Sequence, residues 1–234
     1  MPAPYRLGYT IDFSIEHRNR FVDILADCSP IMAGFMLQPV NVTSNVENTP
    51  PTALIDQAGL SSGYTSRITN FDTYLALNPT HNGENFGWLT SLNVTAAQLT
   101  FDLGGLNPIE SLAIWNSGIA VLGIKDFSIL ASNDSSFLTS VNLGSFTAIS
   151  PLGTHTATLP QVFSFAPISA SFIRLDIQNS QGIARLFMGE VAFELVAVPE
   201  PSSFVIVVVS CMIAIHCRCR KQWFSGSANK RIVT

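Results

Sequence analysis

The sequence predicts an all-β sandwich or barrel over residues 41–196. Three observations predict it. Short apolar runs there alternate with polar residues at period two, as half-buried strands require. Gly, Pro, Asn and Ser separate the runs, and no long helical period or internal repeat interrupts them. Between Val40 and Val196 there is no cysteine, so the core holds itself together without disulfides. A stretch of about 150 residues is long enough for that.

The strands follow in order. In "QLTFDLGG", Leu99, Phe101 and Leu103 alternate; in "IKDFSILAS", Phe127 and Ile129 do so. "QVFSFAP" alternates at Phe163 and Phe165. "SFIRLDIQN" sets Ile173, Leu175 and Ile177 against Arg174 and Asp176, which read as a strand-surface pair. "GEVAFELV" sets Val191, Phe193 and Leu195 against Glu190, Ala192 and Glu194, one face buried and one wetted. "TPPTALIDQAGLSSGY" and "ALNPTHNGENFGWLTS" are rich in turn formers and read as long loops, where binding tends to be built.

The flanks differ from this pattern. Residues 1–40 form a poorly defined leader: Asp12, Glu16, Asp23 and Asp27 interrupt the apolar stretch that an export signal needs. "LADC" suggests a lipid-modified Cys28, but Asp27 argues against it. At the other end, Pro199 and Pro201 lack backbone donors and stop the last strand. The apolar segment 202–217 carries no formal charge and is near the lower limit for a membrane span of roughly 20 residues. Arg218, Arg220 and Lys221 follow at once, which places them inside and the domain outside. Residues 222–234 are a short polar tail.

Composition excludes several functions. The 234 residues carry a net charge of −4, and only 12% are charged, so no basic stripe exists to meet nucleic acid. His17, His81, His155 and His216 are scattered, with no metalloprotease spacing. "HCRCRK" brings His216, Cys217 and Cys219 together, but Cys-x-Cys is too tight for ordinary zinc pairing. No nucleophile elbow, phosphate loop or dinucleotide fingerprint occurs. "NVT" at Asn41 and Asn93 and "NDS" at Asn133, which would be glycan acceptors in a eukaryotic secretory pathway, read as ordinary loop and strand polar residues.

Two resemblances rest on these residues. Val198-Pro199-Glu200-Pro201, an apolar segment and then Arg218, Arg220 and Lys221 resemble a PEP-CTERM sorting signal spanning residues 197–221. That resemblance implies a bacterial envelope protein held in the inner membrane and then surface-exposed or secreted. It also implies an exosortase-type sorting enzyme as partner and an exopolysaccharide-making host. The chain departs from the pattern by running on to Thr234. "LTFDLGG", "IESLAIWN", "IKDFSILASND", "FIRLDI" and "GEVAFE", in that order, resemble the discoidin-like, galactose-binding-like jelly roll over residues 41–196.

The second resemblance implies a non-enzymatic sandwich that binds sugars or lipid head groups at one end, with a structural calcium in some members. Asp56 and Glu190 resemble that calcium's carboxylates, with the carbonyls of Leu54 and Gly59 beside them. The plainer reading has Asp56 capping a turn and Glu190 facing water. A sugar site needs an exposed aromatic face ringed by amide and charged groups. The candidates are Tyr64, Tyr74, His81, Asn82, Asn85, Phe86, Asn116 and Arg185. Trp88 corresponds to a core Trp of the family, and Trp115, at a strand end, is expected to be half-buried. The expected ligand is a carbohydrate of the surrounding extracellular polysaccharide. The rivals are a structural matrix protein without ligand, an unprocessed single-pass anchor, and an enzyme with an unrecognised cluster.

Overall fold

The computed structural model describes residues 34–46, 48–82, 86–150, 157–182 and 184–196. The strands are β1 (Phe35–Leu37), β2 (Asn41–Ser44), β3 (Trp88–Leu89), β4 (Ala97–Asn116), β5 (Asp126–Ser132), β6 (Val141–Thr147), β7 (Pro160–Ile177) and β8 (Phe187–Leu195). A 3₁₀ turn at Pro51–Leu54 and one short helix, α1 (Phe71–Ala76), lie between β2 and β3. Pairing is antiparallel throughout, in the order β1-β8-β4-β7-β5-β6, with β2 on β4 and β3 on β8. This is an all-β antiparallel sandwich of the jelly-roll kind. The sheet starts at Phe35, ahead of Asn41.

One ribbon makes both layers. The first arm of β4 pairs with β2 and the last third of β7, while the second arm pairs with β8 and the first part of β7. The change-over is a register break between Asp102 and Asn107, across from Ala170 and Phe172. Gly104 (φ +75°) and Gly105 (φ +127°) supply backbone conformations that side-chain-bearing residues rarely adopt. The chain therefore turns over here, and Asn107 fixes the turn by donating to the carbonyls of Leu103 and Gly105, each at 2.9 Å.

The alternating residues fill the space between the arms. Leu99, Phe101, Leu103, Phe127, Ile129, Ile173, Leu175, Ile177, Val191 and Phe193 are buried in one cluster, and Phe101 meets Phe193 edge-on at 5.6 Å. Trp88 lies in the same core. Each such side chain contributes about 1.5–3 kcal/mol by leaving water. Arg174 and Asp176 do not pair with each other: the Arg174 guanidinium sits 3.9 Å over the Phe137 ring and its Nε donates to Thr100 Oγ1, while Asp176 accepts from Gln98.

The outer face of the β8 layer departs from expectation. Met36, Ala113, Trp115 and Ala192 form a second buried cluster with Tyr64, Phe71 and Tyr74. The stretch 49–64, which reads as a long loop, and the segment after it instead bring Leu60, Tyr64, Phe71, Tyr74 and Leu75 over this face. Asn70 caps α1 by accepting from Thr73 N at 2.7 Å, which starts the helix that carries Phe71 and Tyr74. Trp115 is therefore fully buried rather than half-buried, and its indole donates to Pro79 O at 2.8 Å.

The sorting residues Pro199, Glu200, Pro201, Arg218, Arg220 and Lys221 lie outside the described residues, as does the apolar segment 202–217. Among the described residues no helix is long and apolar enough to cross a membrane.

Candidate functional site

Glu190 projects from β8 opposite Trp115, on the covered outer face, and is fully buried. It does not face water. Its Oε2 accepts from Gln57 N at 3.1 Å, while its Oε1 has no hydrogen-bond partner. Burial, reinforced by the Asp56 carboxylate, pushes its pKa up to about 9. Burial and the nearby Glu190 also push the Tyr74 hydroxyl up to about 12, and burial raises Tyr64 further.

The 56–59 turn is built toward this carboxylate. Gln57 holds φ +60°, and its N–H donates to Glu190. Its side-chain amide is clamped on both faces: Nε2 donates to Gln38 Oε1 and Tyr64 O, and Oε1 accepts from Tyr64 N. Asp56 Oδ1 accepts from Ala58 N at 2.8 Å, so the turn-capping role is present, on an exposed residue. His81 closes the turn, with Nε2 donating to Ala58 O at 2.8 Å. That leaves its buried Nδ1 without a partner, hard against Gly189, where an added Cβ would fall 2.4 Å from it. Burial lowers the His81 pKa.

These residues fit a hard cation. A buried carboxylate with one oxygen unspent, beside a second carboxylate, lacks the positive charge that would keep it ionised. Asp56 and Glu190 are brought to one corner. The Gly59 carbonyl accepts from Asn82 N at 2.8 Å, and Leu54 ends the 3₁₀ turn just before Asp56. No group of three or more His, Cys, Asp or Glu side chains exists among the described residues, so backbone carbonyls would have to complete a coordination shell. Sequence reasoning missed Gln57: its left-handed backbone is invisible in residue type.

The predicted sugar-site residues divide. Tyr64, Tyr74, His81 and Asn116 are buried and offer no face to a ligand. Tyr74 donates to Ser62 O, and Asn116 Nδ2 donates to Ile124 O and Ile149 O, whereas the Tyr64 hydroxyl and His81 Nδ1 are buried without a hydrogen-bond partner. The tyrosines are hidden because α1 and the Ser61–Gly63 turn press them onto Trp115 and Ala192. Asn82 and Phe86 stand exposed, Phe86 at 43%. Asn85 lies outside the described residues. Arg185 is half-buried beside Val94, beyond the far end of β3 from Phe86.

The exposed pair belongs to the end of the sandwich opposite the Gly104 turn. Gly87 lets the chain pass close to Phe187, whose N–H donates to Leu122 O at 2.7 Å, so Phe86 and the exposed Val121 flank Phe187.

No protein-family model matches the chain, and no curated protein does. Solved structures do resemble it. The truncated AlyQ structure with CBM32 and alginate lyase domains aligns with TM-score 0.50 and 19% identity, over 73% of this chain and 35% of that one. The family 32 module from C. perfringens NanJ in complex with galactose aligns with TM-score 0.48 and 18% identity, over 70% of this chain and 99% of that one. The likeness shows the fold.

Proposed function

We propose that this sandwich is a non-catalytic carbohydrate-binding module, in a protein exported to the bacterial cell envelope and sorted through its Pro-Glu-Pro tail. The observation that carries the binding is Phe86, 43% exposed, which meets Asn82 around Gly59 at the end of the sandwich where β3 pairs with β8. An aromatic face takes the apolar C–H side of a sugar, and an amide takes its hydroxyls. Both neighbours named above contain modules of this kind, and the NanJ module holds galactose. Calcium, held by Asp56, Glu190 and the carbonyls of Leu54 and Gly59, would supply the charge that keeps Glu190 ionised and would stiffen the 56–59 turn, to which His81 and Asn82 hydrogen-bond. The tail would place the module outside the inner membrane, within reach of an exosortase-type enzyme and of secreted polysaccharide.

The test is binding of the full-length chain to the polysaccharides that its own organism secretes, with calcium and with chelator. Saturable binding, weakened in Phe86→Ala, supports the module. A folded chain that binds nothing in either condition favours a structural matrix component. One observation favours that second reading: the fold consumes Tyr64, Tyr74, His81 and Asn116, leaving few ligand-facing groups.

A further inference from the structure

The opposite end of the sandwich holds a cleft of ≈ 570 Å³ lined by Leu37, Gln38, Pro39, Val40, Ser66, Arg67, Leu103 and Gly104. We infer that this cleft is a second binding site, for a carboxylate-bearing sugar residue such as a uronate, with Arg67 as its anion-recognising group. The inference is independent of what the Phe86 end binds.

Arg67 is positioned rather than loose. Its backbone is left-handed (φ +64°) and pinned by N–H donation to Met36 O at 2.7 Å. Its Nη2 donates to Asn107 Oδ1 at 2.8 Å. Asn107 is buried and spends its own amide hydrogens on Leu103 O and Gly105 O, so it orients the guanidinium from one side. It is also neutral, and leaves the full positive charge in place. Among the described residues the only ion pair is Lys125–Asp126, so no carboxylate among them pairs with Arg67. A guanidinium held on one edge presents its remaining donors to a planar anion, and a carboxylate matches that fork.

The rest of the cleft selects the class of anion. Three backbone donors on its walls are spent: Gln38 N on Ser66 Oγ, Val40 N on Asp102 O and Gly104 N on Asp102 Oδ1. An extended peptide, which docks through main-chain hydrogen bonds, would find these three donors already taken. The exposed side chains of Val40 (65%) and Leu106 (63%) give an apolar shoulder at the same corner, which suits the C–H face of a pyranose ring. A single cation fits the single charge of a uronate.

The experiment is titration of the full-length chain with oligogalacturonate, a neutral galacto-oligosaccharide and a sulfated dextran oligosaccharide, at low and raised salt. Arg67→Gln should weaken oligogalacturonate binding about tenfold or more and leave the neutral-sugar response unchanged, the loss of its hydrogen bond to Asn107 lowering the melting temperature without unfolding the chain. Val40→Asp, an exposed change at the rim that adds a like charge, should weaken it too, more so at low salt. Oligogalacturonate affinity that is unchanged in both variants overturns the assignment. So does loss of that affinity in Phe86→Ala alone, or tighter binding of the sulfated than of the carboxylated probe.

Discussion

Glu190→Gln should remove the loss of stability that Glu190 imposes with rising pH in the absence of calcium. The carboxyl is fully buried with one oxygen unpartnered, and its pKa stands at about 9 against an ordinary 4.5. A raised acid favours the fold where it keeps its proton. Stability is then present below about pH 4.5 and drains away as the pH climbs toward about 9, because the unfolded chain has already ionised. The slope is about 1.4 kcal/mol per pH unit. His81 works in the other direction: its lowered pKa costs stability only below its ordinary value of 6.5. Between about pH 6.5 and 8.5 the Glu190 slope therefore stands clear of His81, and amounts to about 2.7 kcal/mol. For a domain of this size that is about 5–11 °C in melting temperature. The assay is thermal unfolding of the full-length chain by near-ultraviolet circular dichroism, at several pH values, with chelator and with calcium. In chelator the wild type should lose stability across that window and the variant should not. Calcium at a hundredfold over its Kd should restore about 2.7 kcal/mol to the wild type and nothing to Glu190→Gln. Parallel slopes in the two proteins would refute the argument, and a wild type indifferent to calcium would remove the cation from it.

Other outcomes follow from the same geometry. Gly189→Ala drives a methyl to 2.4 Å from the buried His81 ring and should cost about 1–3 kcal/mol in urea unfolding. Trp115→Phe leaves Pro79 O without its donor and opens the second core, which should cost about 2 kcal/mol or more in the same assay. Phe86→Ala should weaken neutral-sugar binding while costing only about 1 kcal/mol in stability, since 43% of the residue is exposed. A sorted protein should end near Pro199–Ser203, and intact-mass measurement of native protein that retains Trp223–Thr234 would refute processing.

The central sandwich was legible because its strands obey a local rule. Ile173, Leu175 and Ile177 alternate with polar neighbours, and the buried face follows from spacing alone. The same rule misled for β8. Glu190 and Ala192 look like the wetted face, and they are buried because a separate segment, far away in sequence, lies over them. Nothing local announces that cover: Tyr64, Phe71 and Tyr74 are scattered among Gly, Ser and Asn, a composition that reads as an exposed aromatic loop. This is also why Tyr64 and Tyr74 were expected to meet a sugar and instead meet Trp115. Asp56 and Glu190 could be paired by family resemblance, but not from spacing, since more than half the chain separates them. Arg67 and Asn107 were invisible, because their partnership depends on where β4 turns over.

The placement of β8 has a mechanical consequence. Its first residues pair with β3, beside the Phe86 end, and its last residues pair with β1 at the opposite end, where the chain leaves toward the tail. A molecule tethered by that tail and gripping a glycan through Phe86 would be pulled along the length of β8. The hydrogen bonds to β1 and β4 run across that pull, so they would be loaded together in shear rather than peeled one after another. The strand that connects the two ends of the module is also one that would have to slide as a unit before the module gave way under flow.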